Sequence, residues 1–247
     1  MPVFLFDHET RSVFEGTFST EAGEYPHIFG GNATRCGVSN MNLDPPLHFL
    51  FGLSTQDPSV RQVAPKYDGP LLPVFFGFSY PNEAGYVYRH VGNEIKIKSP
   101  RDLQYDHQWF GDEFPSLFQA GFLHFTPYEC DVTRAVDALE FAAIFGLDHL
   151  ADEELETAIE YVRRETDLFQ AWHMLDCSDK ELVDFAYIEP FWQRKPSAAC
   201  RSRQLCRRDT LRVIAILNPD DEIPCDAQII LQHCKDCGCF TTTYQCT

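Results

Sequence analysis

Basic side chains are scarce in this sequence. Lys and Arg number 20 against 37 Asp and Glu, a formal net charge of −17. A surface of that sign repels nucleic acid and anionic membranes, and it draws basic proteins in faster. The plainer consequence of such acidity is solubility. Long apolar runs are also missing: no stretch approaches the roughly 18 residues of a membrane span. The opening Met1-Pro-Val-Phe-Leu-Phe-Asp7 has no basic stretch and meets an acid early, so it does not read as a secretion signal. A cytoplasmic chain is the expectation. The sequence lacks G-x-S-x-G, P-loop and H-E-x-x-H patterns, and Gly30-Gly-Asn32 has no dinucleotide-binding continuation.

What is present is an ordinary globular composition. Hydrophobic residues make up 44% and charged residues 23% of 247 residues. A chain of this length buries about three-quarters of the surface it exposes when unfolded. Aromatics reach 14%, with 21 Phe, which favours a sheet-rich core.

The character of the chain changes twice, which predicts an α+β fold in three segments: 1–126, 127–190 and 191–247. The first is a β-rich half. Leu47-His-Phe-Leu-Phe-Gly-Leu53 is one strand and Leu71-Leu-Pro-Val-Phe-Phe-Gly-Phe78 another, with Pro73 confining the latter to an edge. Gly85–His90 and Glu94–Lys98 flank a hairpin turn at Val91-Gly-Asn93. Paired Gly30 and Gly31 predict a tight turn with positive φ. The second segment is an acidic helical insert, with 16 acidic against 4 basic side chains between Asp131 and Glu189. Its first helix is expected from Val132, Ala135, Val136 and Leu139, with Asp131 as its cap and Gly146 as its stop, and its second around Leu155, Ala158, Ile159 and Val162. Ser178-Asp-Lys-Glu181 is a capping-box pattern for a third. The third segment returns to β, with strands at 211–217, 227–232 and 240–245.

Seven of the ten cysteines lie after residue 199. In a cytoplasmic chain such clustering favours metal over disulfide. Cys234-Lys-Asp-Cys237-Gly238 is a zinc-knuckle turn, in which two thiolates converge from a tight turn and the glycine accepts its backbone geometry. Cys200 and Cys206 offer an irregular second pair, with Cys239, Cys246 and His233 as spare ligands. The alternative is a set of reduced, inert thiols. Any zinc here is expected to be structural. Arg201, Arg203, Arg207 and Arg208 would offset the excess charge of four thiolates.

His27-Ile-Phe-Gly-Gly31, Cys36-Gly37 and Leu47-His-Phe-Leu-Phe51, taken with the closing Ala227–Gly238 and Tyr244-Gln-Cys246, resemble the YwqG-like bacterial proteins. They also resemble relatives of that group around programmed cell death protein two and ribosome-biogenesis chaperones. These stretches cover about a third of the chain. Arg35-Cys-Gly-Val-Ser39 departs from the pattern by keeping a single cysteine of a first-half knuckle. The resemblance implies a mostly antiparallel β-rich scaffold of two similar halves, a zinc-ribbon-like C-terminal knuckle, and no established enzymatic mechanism. Some relatives chaperone a basic ribosomal protein; others look like immunity proteins beside secreted toxins.

Three function classes follow. The first is a non-enzymatic module that sequesters a basic protein partner, either a toxin, as an immunity protein does, or a ribosomal client. Asp152, Glu153, Glu154, Glu156 and Glu160 are its candidate contacts. The second is a zinc-knuckle factor associated with nucleic acid through the Arg201–Arg208 cluster, which the net charge opposes. The third is an enzyme with an unrecognised site, for which Tyr105-Asp-His107, with His124 or Cys130, is the available constellation; a polar loop is its plainer reading. His48, inside an apolar strand, reads as a hydrogen-bonded core residue. The first class is the reading taken forward.

Overall fold

The computed structural model describes residues 3–38, 47–65, 67–77, 86–91, 94–99, 118–165, 211–218, 227–234 and 238–246. The chain divides into two units, Met1–Pro127 with Lys195–Thr247, and Tyr128–Arg194.

The first unit is built on one eleven-stranded sheet, antiparallel at every pairing whose register is defined. In chain order its strands are β1 (Val3–Asp7), β2 (Ser12–Ser19), β3 (His27–Phe29), β4 (His48–Ser54), β5 (Leu71–Phe76), β6 (Tyr86–Val91), β7 (Glu94–Ser99), β8 (Gly121–Tyr128), β9 (Leu211–Leu217), β10 (Ala227–Cys234) and β11 (Phe240–Cys246). Their order across the sheet is β5-β4-β3-β8-β2-β1-β9-β10-β11-β6-β7. The first and last sequence segments therefore share one sheet, joined where Val3 pairs with Leu217 and Leu5 with Ala215. Pro73 sits in β5, at one end of the hydrogen-bonding order, where a missing N–H costs no ladder bond. The other end, β7, alternates apolar Ile95 and Ile97 with exposed Glu94 and Lys96, and charge on an edge strand discourages stray pairing.

The sheet is rolled. β5 and β11 are far apart in its order, yet Thr242 Oγ1 donates to the Phe75 carbonyl at 2.8 Å. The Phe75 ring meets Tyr88 edge-on at 6.0 Å. Rolling explains why all seven residues of β4 are buried: both faces of that strand are covered, so its sequence reads as a continuous apolar run instead of an alternating one. Phe49, Leu50, Phe51, Leu53, Phe75 and Phe240 are among the buried side chains of this core. A short helix, α1 (Pro58–Val63), follows β4. Its signal is legible in hindsight: Asp57 caps it by accepting from Ser59 N–H at 2.8 Å, and Pro58 stands in its first turn.

Gly30 and Gly31 adopt positive φ, 54° and 69°, as the paired glycines predict. Gly30 N–H donates to Leu50 O and Gly31 N–H to Phe118 O, both at 2.8 Å, so the turn ties together three chain segments. A Cβ on Gly30 would collide with the carbonyl oxygens of Gln119 and Phe118, and the latter is the acceptor of the Gly31 N–H in this turn. The Arg35 guanidinium closes the arrangement. It donates to Phe29 O (2.9 Å), Gly30 O (3.2 Å) and Gly121 O (2.7 Å), and lies 5.4 Å over the Phe122 ring. Charge-assisted bonds of this kind are roughly twice as strong as neutral ones.

The second unit begins with α2 (Ala135–Phe145) and α3 (Asp152–Glu165). Here the sequence reading needs a correction. Asp131 does not cap α2; residues 131–134 form a turn, in which Asp131 accepts from the Thr133 hydroxyl and from Arg134 N–H, and helical geometry starts after Arg134. Asp131 is committed to its own local turn, a common competitor of helix initiation. Gly146 does end α2, with φ 105°. Ala158, Ile159 and Val162 of α3 are buried with Ala138, Leu139 and Ala142 of α2 in a small core of their own. The Ser178–Glu181 pattern lies outside the described residues.

Gly30→Ala combines a left-handed backbone with a backbone clash. We expect it to destabilise the protein by about 3 kcal/mol, read as a lowered urea midpoint. A loss below about 0.5 kcal/mol, the scale of an ordinary surface change, would contradict the role assigned to this turn.

Candidate functional site

The acidic side chains singled out from the sequence fall on α3. Its period puts Asp152, Glu153, Glu156 and Glu160 on one exposed stripe, opposite the buried Ala158 and Val162. Glu154 is different. Its Oε2 accepts from Ala151 N–H at 2.7 Å, while Ala151 O accepts from Leu155 N–H, so Glu154 is half of a capping box at the helix start. Ion pairs among the described residues are His27–Asp57, Lys96–Glu94 and Arg134–Asp137; none involves the five candidates. At the other end of α3 the Arg164 guanidinium lies 5.4 Å over the Tyr161 ring. Residues 128–165 carry 11 acidic against 3 basic side chains.

The tail cysteines are only partly within view. Cys200, Cys206 and Cys237 lie outside the described residues. Cys234 is buried at the end of β10, and Cys239 is half-buried. Cys234 N–H donates to Cys239 O at 2.9 Å, and Gly238 N–H to Cys234 O at 2.8 Å, with Gly238 at φ 70°. That is the glycine conformation a C-x-x-C-G turn asks for. Among the described residues no three His, Cys, Asp or Glu side chains come together to hold a metal ion.

Of the catalytic constellation, Tyr105–His107 lies outside the described residues. His124 Nε2 bonds the Glu21 carbonyl at 2.7 Å, and its ring packs on Gly23. Cys130 is half-buried, and burial together with Asp137 and Glu140 pushes its thiol pKa up, away from the thiolate a nucleophile needs. The Cys36 thiol, buried, is pushed up to about 12.

Two polar arrangements escaped the sequence reading because their members are far apart in the chain. In the first, His27 Nδ1 accepts from Ser54 N–H at 3.1 Å, and Nε2 faces Asp57 Oδ2 at 3.2 Å. The Ser59 hydroxyl then bonds Asp7 Oδ2 at 3.3 Å. This Asp–His pair is buried, and both ring nitrogens are occupied by protein, so no lone pair remains to accept a substrate proton. Burial raises the Asp7 pKa, but the N–H groups of Thr10 and Glu9 outweigh it and hold that carboxyl below its ordinary value. The second arrangement lies inside the roll. The rings of Tyr67, Tyr88, His90 and His233 surround Phe240, with His90 4.7 Å from Tyr67 and 5.3 Å from Phe240. Burial, then repulsion from His233, lowers the His90 pKa to about 4. Burial lowers that of His48 to about 4 as well, a backbone contact with Phe76 pulling the other way. His48 is thus a neutral core residue of β4.

Comparison with family models, with curated proteins and with solved structures found no match to this chain.

The buried imidazoles set a pH dependence. The folded state keeps His48 and His90 neutral down to about pH 4, whereas the unfolded chain protonates them near 6.5. Between these values the unfolded state binds more protons. Stability therefore falls as pH drops from about 6.5 to about 4, and this contribution is fully lost below that. His48→Gln should reduce the slope of unfolding free energy against pH in this window by up to about one proton, as read from urea titrations. An unchanged slope would contradict a neutral, buried His48.

Proposed function

We propose that this protein is a non-enzymatic binding module that sequesters a basic protein partner in the cytoplasm, as an immunity protein does with its cognate toxin. One observation carries the reading: an exposed acidic stripe on α3, Asp152, Glu153, Glu156 and Glu160, which takes no part in the ion pairs among the described residues. A stripe of unneutralised carboxylates steers a basic partner and accelerates its docking. The resemblance to YwqG-like bacterial proteins, which implies a β-rich fold of two similar halves and relatives that look like immunity proteins, points the same way. The same chemistry would serve a chaperone holding a basic ribosomal protein.

The test is association kinetics with a basic partner. Glu153→Lys, Glu156→Lys and Glu160→Lys together should slow association at least about tenfold at low ionic strength, with little effect on dissociation. Added salt should narrow the gap as the Debye length falls below about 8 Å. Rates indifferent to both salt and charge reversal would mean that α3 carries only a solvated face.

A second reading concerns the tail, where the positive φ of Gly238 and its bond to Cys234 O support a structural zinc in a ribbon-like knuckle. Cys234 and Cys237 would be the first ligands and Cys200 and Cys206 the second pair. Their thiols must lose protons to bind, so acid or a chelator should release the metal. Protein purified without chelator should contain about one zinc per chain by elemental analysis, and Cys237→Ser should abolish it. Less than about 0.2 zinc per chain would rule the site out.

A further inference from the structure

We propose that Cys234 and Cys239 form a reversible redox staple across the mouth of the β10–β11 hairpin. The ladder pairs Ile230 with Thr243, Gln232 with Thr241 and His233 with Phe240. Continued by one step, that register sets Cys234 opposite Cys239, and the 2.9 Å bond from Cys234 N–H to Cys239 O fixes them there. Directly opposed residues of an antiparallel pair have Cα atoms about 4.5–5.5 Å apart and side chains on the same face. A disulfide accepts about 4.4–6.8 Å. The Cα range therefore suits a bridge, while opposed Cβ atoms, about 4.5–5.5 Å apart in a ladder against about 3.5–4.5 Å in a disulfide, must draw together on closure, a strain that makes the bond readily reducible.

Burial assigns the two sulfurs different roles. Cys239 is half-buried and Cys234 buried, and neither is in a disulfide. A small external disulfide, of the glutathione type, supplies the oxidising equivalents. Cys239 loses its proton to solvent, and its thiolate attacks one sulfur of that disulfide. This forms a mixed disulfide and expels one thiolate, which takes up a proton. The Cys234 thiol, deprotonated in turn, attacks Cys239 Sγ and expels the second thiolate. Two protein thiols are oxidised by two electrons, one external disulfide is reduced to two thiols, and protons balance. The bridge would link the two residues that flank Lys235-Asp-Cys-Gly238 in the sequence. It would use the same sulfur that the zinc reading assigns to a metal, so oxidation and zinc binding exclude each other at Cys234.

The full chain, reduced and freed of reductant, is incubated with glutathione disulfide and quenched in acid. Remaining thiols are alkylated and the digest is mapped by mass spectrometry. The expected result is a Cys234–Cys239 link as the predominant pair. It should be lost in Cys239→Ser, with glutathione then absent from Cys234, and retained in Cys237→Ser, which separates it from a Cys234–Cys237 bridge. The proposal is overturned if Cys234 links chiefly to another cysteine, or if Cys239 takes glutathione while Cys234 stays alkylatable. A sample that carries zinc and yields no link overturns it equally, and leaves the sulfur to the metal.

Discussion

The Gly30–Gly31 turn, clamped by Arg35, is the constraint on which the first unit depends. β3 is only three residues long and cannot hold its neighbours by ladder bonds alone. Its continuation into two left-handed glycines lets the backbone bond Leu50 O on one side and Phe118 O on the other. The three carbonyls that converge there would repel one another without a cation, and a single guanidinium answers all three. Lysine could not, because its compact ammonium lacks the planar fork that reaches separate acceptors. With β4 and the start of β8 held to β3, the sheet has the continuity it needs to roll.

Rolling then accounts for the chemistry of the interior. Once β5 faces β11 and β6, side chains from strands distant in the sheet order share one enclosed space, and any titratable group there loses its water. That is why His48, His90 and Cys36 are held in their neutral forms, and why Thr242 finds its acceptor on Phe75. The same enclosure buries the Asp57–His27 pair. Its geometry resembles part of a catalytic relay, and within the rolled sheet each member satisfies the other's polar groups. Sequence adjacency alone cannot distinguish these roles, since Asp7, His27, Ser54, Asp57 and Ser59 come from four elements and their connecting turn.

Much of the fold was nevertheless written locally. The strand at 211–217 is placed to the residue, because its apolar run is bounded by polar chain on both sides. β10 extends two residues beyond the expected 227–232, since His233 and Cys234 are ladder members as well as candidate ligands, and their chemistry obscured their backbone role. Gly30, Gly31 and Gly146 were legible because left-handed or otherwise unusual backbone leaves a mark in residue type. Asp57-Pro58 carries an equally clear helix signal, a capping aspartate followed by a proline in the first turn, set between two strongly apolar strands. The start of α2 was misread because aspartate suits a turn as well as a cap. What no local pattern could reveal was the roll itself, which rests on contacts between residues about 170 positions apart, such as Phe75 with Thr242, each end of which looks like ordinary strand.

The acidic candidates are not equivalent, and helix physics separates them. Asp152, Glu153 and Glu154 occupy the first turn of α3, with Arg163 and Arg164 in its last, which is the arrangement the helix dipole favours in any protein. Glu154 is further accounted for by its bond to Ala151 N–H. These placements stabilise the helix whether or not a partner exists. Glu156 and Glu160 lie beyond the first turn, where the dipole has faded, and they repeat at a spacing that sets like charges side by side, a mild penalty for an isolated helix. Arg164, four residues after Glu160, lies 5.4 Å over the Tyr161 ring, and Glu160 takes no part in the ion pairs among the described residues. A charge that helix stability does not explain is the kind an interface would select. The weight of the binding proposal therefore rests on Glu156 and Glu160 more than on the denser acidic run before them.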